Sequence, residues 1–253
     1  MIILHVLFLK NDIKRLFGKT SFAVSNDEFR PAMTGVFLQF RHNFVNAVST
    51  DSYRLVRACY SVETNSLPEE LDLIVPSKTV DLIKNADNEV QLSFISSNGK
   101  LTHLKFEIGD TIYVSRVIDE KFPPYESVIP SGNQLIALID KSKLLDGIKF
   151  VSVSSSNISK QIKVTLSNNM LTIKGHDEDS GTDAQTEVPC EYSGDEIEIG
   201  FNYKFLEDAV SNIDADSDNV IYMTLSEPTR PALILPEAEG KDLLMLIMPV
   251  RLN

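Results

Sequence analysis

Residues able to do chemistry are few and scattered. The four histidines, His5, His42, His103 and His176, make no pair at the one-turn helical spacing that lets two imidazoles share a metal. Cys59 and Cys190 match no metal or redox spacing, and so small a number fits a reducing cytosol. The stretch HDEDSGTD, His176 to Asp183, gathers acids whose oxygens could hold a hard cation. It lacks the spacing of a calcium loop and reads as the solvated tip of a hairpin. SVSSSNIS, Ser152 to Ser159, supplies hydroxyls without the sharp turn pattern that exposes a nucleophile, and reads as a helix end and loop. No glycine-rich phosphate cradle occurs. The expectation is therefore a protein that is not an enzyme and carries no metal and no cofactor.

Charge narrows the partners less than it first suggests. Acids outnumber bases 36 to 24, a formal net charge of −12, which by itself disfavours a phosphate-rich partner. The acids, however, gather in loops and strand ends: PEELD, HDED, CEYSGDEIE, DADSD and PEAEGKD. Bases gather on helices. Lys10, Lys14, Arg15 and Lys19 oppose Asp12 on the first helical pattern, and Lys141, Lys143 and Lys149 oppose Asp140 and Asp146 on a later one. These are either ordinary solvated faces or a surface for phosphates. The chain closes on DLLMLIMPVRLN, an apolar run broken by Arg251. Chain ends are normally polar and frayed, so this one is either a core strand or part of a surface that something binds.

The elements that must position these residues come in one order, used twice. MIILHVLFL reads as a strand leading into a helix rather than as the apolar part of a signal peptide, and no other run is long enough to span a bilayer. In LKNDIKRLFGKTSFAVS, Leu9, Ile13, Leu16, Phe17 and Thr20 share one face, with Asn11 or Asp12 as the cap. Strand patterns follow in GVFLQF, FVNAVST and YRLVRACY, then DLIVPSKTVDLIKNAD turns from strand to short helix at Pro76 and Ser77. EVQLSFI, LTHLKFEIG and TIYVSRVID close the half, with turns at SSNGK and GD. The second half repeats this. IDKSKLLDGIKFVSVS places Leu144, Leu145, Ile148 and Val151 on one face; QIKVTLS, MLTIKG and TEVPCEY follow; EIEIGFNYKFLEDAVSNID is again strand into helix, capped by Asn202; NVIYMTLS, PALILPE and LLMLIMPV end it. Between the halves FPPYESVIPSGNQ suits a boundary near Val128, giving domains 1–128 and 129–253. The expected class is α+β: two tandem domains, each with two helices on one face of a mainly antiparallel sheet.

Several ordered segments resemble those of bacterial sliding clamps, the beta subunit of DNA polymerase III. STDSYRLV, Ser49 to Val56, is similar to that family's TDGHRLA-type segment, and DEKFPPYESVIP, Asp119 to Pro130, to its linker between second and third domains. EIEIGFNYKFLEDAV resembles the strand and helix of the third domain, and LIMPVRL the family's C-terminal ending. The resemblance covers the second and third domains, so the expectation is a form lacking the first. Ser52 and Tyr53 stand where Gly-His is more usual, and Ser127 where a basic residue is common.

The resemblance implies a replication processivity factor that encircles duplex DNA without sequence preference, in the cytoplasm beside the nucleoid. It tethers the polymerase III catalytic subunit, the clamp loader and other partners carrying QLxLF-type peptides. The implied peptide pocket comprises Met33, Thr50, Ser52, Tyr53, Arg54, Leu55, Pro123, Val128, Ala232, Leu246, Ile247, Met248, Pro249, Val250 and Arg251. Met and Leu would make an adaptable apolar surface, and the two arginines could hold carboxylates at its rim. The implied DNA-facing residues are Lys10, Lys14, Arg15, Lys19, Arg30, Lys78, Lys141, Lys143, Lys149 and Lys204. Self-association in the family runs through domain edges. For this chain a monomer or weak self-association without a stable closed ring is expected: the third-domain edge near Gln161 to Tyr192 is kept, and only a three-copy ring using the leading edge near Met1 to Leu9 would give it a partner. The rival readings are a clamp-derived peptide-binding module that does not encircle DNA, an unrelated two-domain binding protein, and a hydrolase built on the acidic hairpin.

Overall fold

The computed structural model describes residues 4–8, 10–61, 68–97, 99–215, 217–238 and 240–252, with side chains from residue 12 onward. The chain divides into two compact units, Met1–Tyr125 and Glu126–Asn253. This division falls three residues before the boundary read at Val128, because Tyr125 is buried among residues of the first unit, with its ring edge-on to Phe37.

The first unit runs β1 (Leu4–Phe8), α1 (Lys10–Thr20), β2 (Gly35–Arg41), β3 (Phe44–Thr50), β4 (Arg54–Ser61), β5 (Glu70–Pro76), α2 (Ser77–Ile83), β6 (Val90–Ser97), β7 (Lys100–Ile108) and β8 (Thr111–Arg116). Every described pairing is antiparallel. One sheet has the order β1-β6-β7-β8, and the other strands pair as β4-β3-β2-β5. Ile13, Leu16, Phe17 and Thr20 of α1 are all buried, as the one-turn spacing requires, and Thr20 donates its hydroxyl back to the Leu16 carbonyl at 2.6 Å. Leu9, placed on the same face, lies outside the described residues. The helix starts at Lys10, upstream of the cap residues read from sequence, so Asp12 sits inside the first turn. There its charge still complements the helix dipole. Beyond Thr20 the chain tightens into a 3-10 turn, Ser21–Ala23, instead of continuing the helix. Phe40 meets Phe94 edge-on at 5.6 Å, joining the two sheets through the core.

The second unit repeats the order with β9 (Leu135–Asp140), α3 (Lys141–Ser152), β10 (Gln161–Ser167), β11 (Met170–Asp177), β12 (Thr182–Tyr192), β13 (Ile197–Asn202), α4 (Tyr203–Asn212), β14 (Val220–Leu225), β15 (Ala232–Leu235) and β16 (Leu243–Ile247). Its strands pair antiparallel in the order β13-β10-β11-β12-β9-β14-β15-β16. The long β12 changes partner along its length: Thr182–Pro189 face β11, and Cys190–Tyr192 face β9. Pro189, with no N–H to give a ladder, stands at that hand-over. Asp140 caps α3 and Asn202 caps α4, each side chain accepting from the backbone N–H of Lys143 and Lys204 respectively. Leu144, Ile148 and Val151 are buried, whereas Leu145 is only half-buried, its place in the packed stripe taken by Gly147. A Cβ at Gly147 would approach Ile173 at 3.1 Å and Val188 at 3.2 Å, so the missing side chain lets α3 lie close on β11 and β12.

The C-terminal run has two parts. All five residues of β16 are buried, which makes it a core strand. Residues 248–252 then leave the sheet and are tied at Val250, whose N–H donates to the Gly200 carbonyl on β13 at 2.9 Å. The core-strand answer thus applies to Leu243–Ile247, and the residues beyond it lie partly exposed at the surface.

Candidate functional site

On the first unit the implied pocket residues sit at the β3–β4 turn and on a neighbouring 3-10 turn, Pro31–Met33. The turn folds around Asp51. One carboxylate oxygen accepts from the N–H groups of Tyr53 and Arg54, both at 3.0 Å, and the other from Arg54 Nε at 2.9 Å. Thr50 donates its hydroxyl to the Arg54 carbonyl at 2.7 Å and accepts from the Ser52 N–H at 3.1 Å. Ser52 adopts φ +79, a left-handed conformation that glycine enters without cost and other residues do not. That is the physical content of finding serine where glycine is more usual. Tyr53, beside it, is 60% exposed.

Arg54 is not the free rim cation that its position suggests. Besides Asp51, its Nη2 donates to the Phe22 carbonyl at 2.9 Å and its guanidinium lies 5.4 Å from the Phe22 ring centre. It fastens the β3–β4 turn to the 3-10 turn after α1. Leu55 and Thr50 are buried, and Met33 is half-buried. Pro123 is held by its neighbours: Phe122 stacks on Phe37 at 4.7 Å, and the Tyr125 hydroxyl donates to Gln39 Oε1 at 2.8 Å. Asn46 Nδ2 donates to the same oxygen at 3.0 Å, closing a small polar network on β2 and β3.

On the second unit Ala232 pairs with Ile247 and Leu233 with Leu246 across β15 and β16. Ala232, Leu246 and Ile247 are buried and offer a partner little surface; Met248, Pro249 and Val250 are half-buried, Val128 is 50% exposed and Arg251 is exposed. Asn133 pins the strand ahead of Ala232 by donating to the carbonyls of Thr224, at 3.0 Å, and Pro231, at 3.2 Å.

The implied DNA-facing bases divide by availability. Lys14, Lys78, Lys143 and Lys149 are exposed, and Lys19 is half-buried. Arg15 is half-buried and reaches the Cys59 carbonyl at 3.5 Å. Lys141 is half-buried, its ammonium donating to the Ile213 carbonyl at 2.7 Å. Lys204 stands 3.4 Å from Glu207 and over the Tyr203 ring. Arg30 pairs with Asp27 at 2.9 Å. The side chain of Lys10 lies outside the described residues.

The residues that sequence reasoning missed are the fasteners: Phe22, Phe37, Gln39, Asn46 and Asp51. Only Asp51 left a signal, as an Asp two and three residues ahead of the N–H groups it caps. Phe150, 59% exposed on α3, with Val153 at 86% and Ile158 at 88%, was also passed over. Among the described residues no group of three or more His, Cys, Asp or Glu could hold a metal, and no helix is long and apolar enough to cross a membrane. His176 Nδ1 lies 2.8 Å from Asp183 at the acidic hairpin, both half-exposed, and no described hydrogen bond links the ring to a serine or cysteine.

The fold is a tandem pair of clamp-type domains, each an antiparallel framework with two described α-helices. Residues 8–124 match the family model of the DNA polymerase III beta subunit, central domain, and residues 126–251 that of its C-terminal domain. The chain belongs to the DNA polymerase III beta-subunit family. It is 28% identical to the beta sliding clamp of Pseudomonas aeruginosa over 98% of this chain and 66% of that protein. To that of Rickettsia bellii it is 29% identical over 95% of this chain and 65% of the relative. It thus spans just under two thirds of the curated relatives it matches. A crystal structure of the Pseudomonas aeruginosa clamp superposes with a TM-score of 0.89 at 28% identity, covering 98% of this chain and 67% of that one. The Thermotoga maritima beta subunit superposes with a TM-score of 0.87 at 25% identity, covering 99% and 66%. A further similar structure, of the Pseudomonas aeruginosa clamp bound to griselimycin, has a TM-score of 0.88 at 26% identity.

Proposed function

We propose that this chain is a non-catalytic processivity factor of bacterial replication. It docks QLxLF-type peptides of the polymerase III catalytic subunit, the clamp loader and other partners, and faces duplex DNA with its helices. What supports this is the family match over residues 8–124 and 126–251 and, on each unit by itself, partly exposed apolar side chains: Met33 and Tyr53 on the first, Val128, Met248, Pro249 and Val250 on the second. A short peptide held by a few such side chains binds with an affinity on the order of micromolar. Fluorescence anisotropy with a labelled QLxLF-type peptide tests this. Deleting Met248 to Asn253 abolishes binding while β1–β8 stay folded; undiminished binding by that variant refutes the assignment.

For DNA the support is the exposed Lys14, Lys78, Lys143 and Lys149 on three of the four α-helices among the described residues, in a chain whose net charge is −12. Binding to open duplex is then weak, indifferent to sequence and lost as salt rises. Changing Lys10, Lys14 and Lys19 to Glu removes it; a sequence preference surviving high salt argues against sliding. Weak self-association is proposed through the Gln161–Tyr192 stretch of the second unit. There Phe150 shares a shallow hollow of about 310 Å³ with Thr186, Val188 and Pro189, beside the β12 stretch that pairs on one side only. Light scattering reads this directly, and a tight closed assembly at micromolar concentration contradicts it. The second reading, a peptide-binding module that never encircles DNA, predicts the peptide result with no retention on circular duplex.

A further inference from the structure

Arg30 is assigned to the DNA face by its place in the chain, yet its guanidinium is committed within the first unit. Nε bonds Asp27 Oδ2 at 2.9 Å and Nη1 donates to the Ser52 hydroxyl at 2.7 Å. A serine hydroxyl has one hydrogen to give. With its oxygen accepting from Arg30, that hydrogen is left for the sulfur of Met33, 3.6 Å away. The three residues form a directed chain, guanidinium to hydroxyl to thioether, in which each bond polarises the next. Its base is fixed independently. Ser25 accepts from the Asp27 N–H at 3.1 Å, Asp27 accepts from the Phe29 N–H at 3.0 Å, and the Ser25 N–H donates to the Met33 carbonyl at 2.9 Å.

We infer that Arg30 is a positioning residue for peptide binding: it acts through Ser52 to hold the Met33 side chain in one conformation. This rests on the reading of Met33 and Ser52 as part of the peptide site. Methionine is useful there because its thioether adapts, but three rotatable bonds must be ordered when a peptide packs on it. A sulfur already held by Ser52 has less freedom left to lose, which favours binding. The device depends on Ser52 being a serine. A glycine at that position, more usual in the resembling family, has no hydroxyl to relay the contact. The relay therefore accompanies the strained φ at Ser52, which glycine would relieve.

The test uses the whole chain labelled at its methionine methyl groups, with the Met33 resonance assigned by Met33→Leu. Arg30→Ala and Ser52→Ala each shift and broaden the Met33 methyl signal without peptide present, and Arg30→Lys, which keeps a donor in reach, restores it in part. In anisotropy titrations each alanine variant weakens a labelled QLxLF-type peptide roughly three- to tenfold, the span of one ordinary net hydrogen bond. The double variant loses no more than either single one, because both break one chain. A Met33 signal unmoved by Arg30→Ala in a folded protein overturns the inference, as does simple additivity of the two losses. If the unaltered protein binds no peptide, the peptide-site reading falls instead, and the methyl spectra still decide whether Arg30 holds Met33.

Discussion

Replacing Gly200 by alanine puts a carbon atom where the C-terminal segment already lies. A Cβ there would stand 2.5 Å from the Val250 carbonyl oxygen, 2.9 Å from Leu252 Cδ2 and 3.1 Å from Val250 Cγ2. The leucine tip can swing aside; a backbone carbonyl cannot, so the segment has to lift from β13. Lifting forfeits the bond from the Val250 N–H to the Gly200 carbonyl, worth about 1 kcal/mol net. It also loses part of the packing of the half-buried Val250 and Leu252 side chains, about 1 kcal/mol more by area. The combined cost of about 2 kcal/mol corresponds to a roughly thirtyfold increase in local opening. Amide hydrogen exchange reads it at one position: the Val250 N–H exchanges roughly thirtyfold faster, while Val164 and Ile199, paired between β10 and β13, keep their protection. Peptide affinity should fall with it, since Met248 and Pro249 are released by the same movement. A folded Gly200→Ala protein with unchanged Val250 exchange would show that this bridge does not hold the C-terminal segment.

Three further perturbations probe other parts of the site. Ser52→Gly relieves φ +79 and should raise stability by about 1 kcal/mol in urea unfolding, even as it removes the Met33 contact; a net loss would mean the hydroxyl outweighs the strain. Tyr125→Phe deletes the hydroxyl that bonds Gln39 in a buried network and should cost about 1 kcal/mol, seen as a lowered urea midpoint, whereas no change would make the network dispensable. Burial pushes the Cys190 thiol up from its ordinary pKa, leaving less thiolate at any given pH, so at pH 8 a disulfide reagent should label the half-buried Cys59 first and Cys190 only on unfolding; equal rates would place Cys190 in solvent.

The sequence by itself determined whatever is periodic or local. Buried Ile13, Leu16 and Phe17 on α1 and Leu144, Ile148 and Val151 on α3 follow from one-turn spacing, and Asp140 and Asn202 cap their helices through bonds that span two or three residues. The repeated element order, and with it the two-domain α+β class, was legible for the same reason. So was the family, because STDSYRLV and LIMPVRL are contiguous. What only tertiary structure decided is the fate of polar groups whose partners lie far along the chain. Arg54 meets Phe22, Lys141 meets the Ile213 carbonyl, and Tyr125 reaches Gln39 and Asn46 across 86 and 79 residues. A base on a helix and a base spent on a carbonyl look identical in one dimension, so the sequence could propose Lys141 and Arg54 as free cations but could not show them committed. The same holds for the apolar ending: composition marks the whole run as buried, and only the docking of Val250 on Gly200 separates the core strand from the half-exposed segment beyond it.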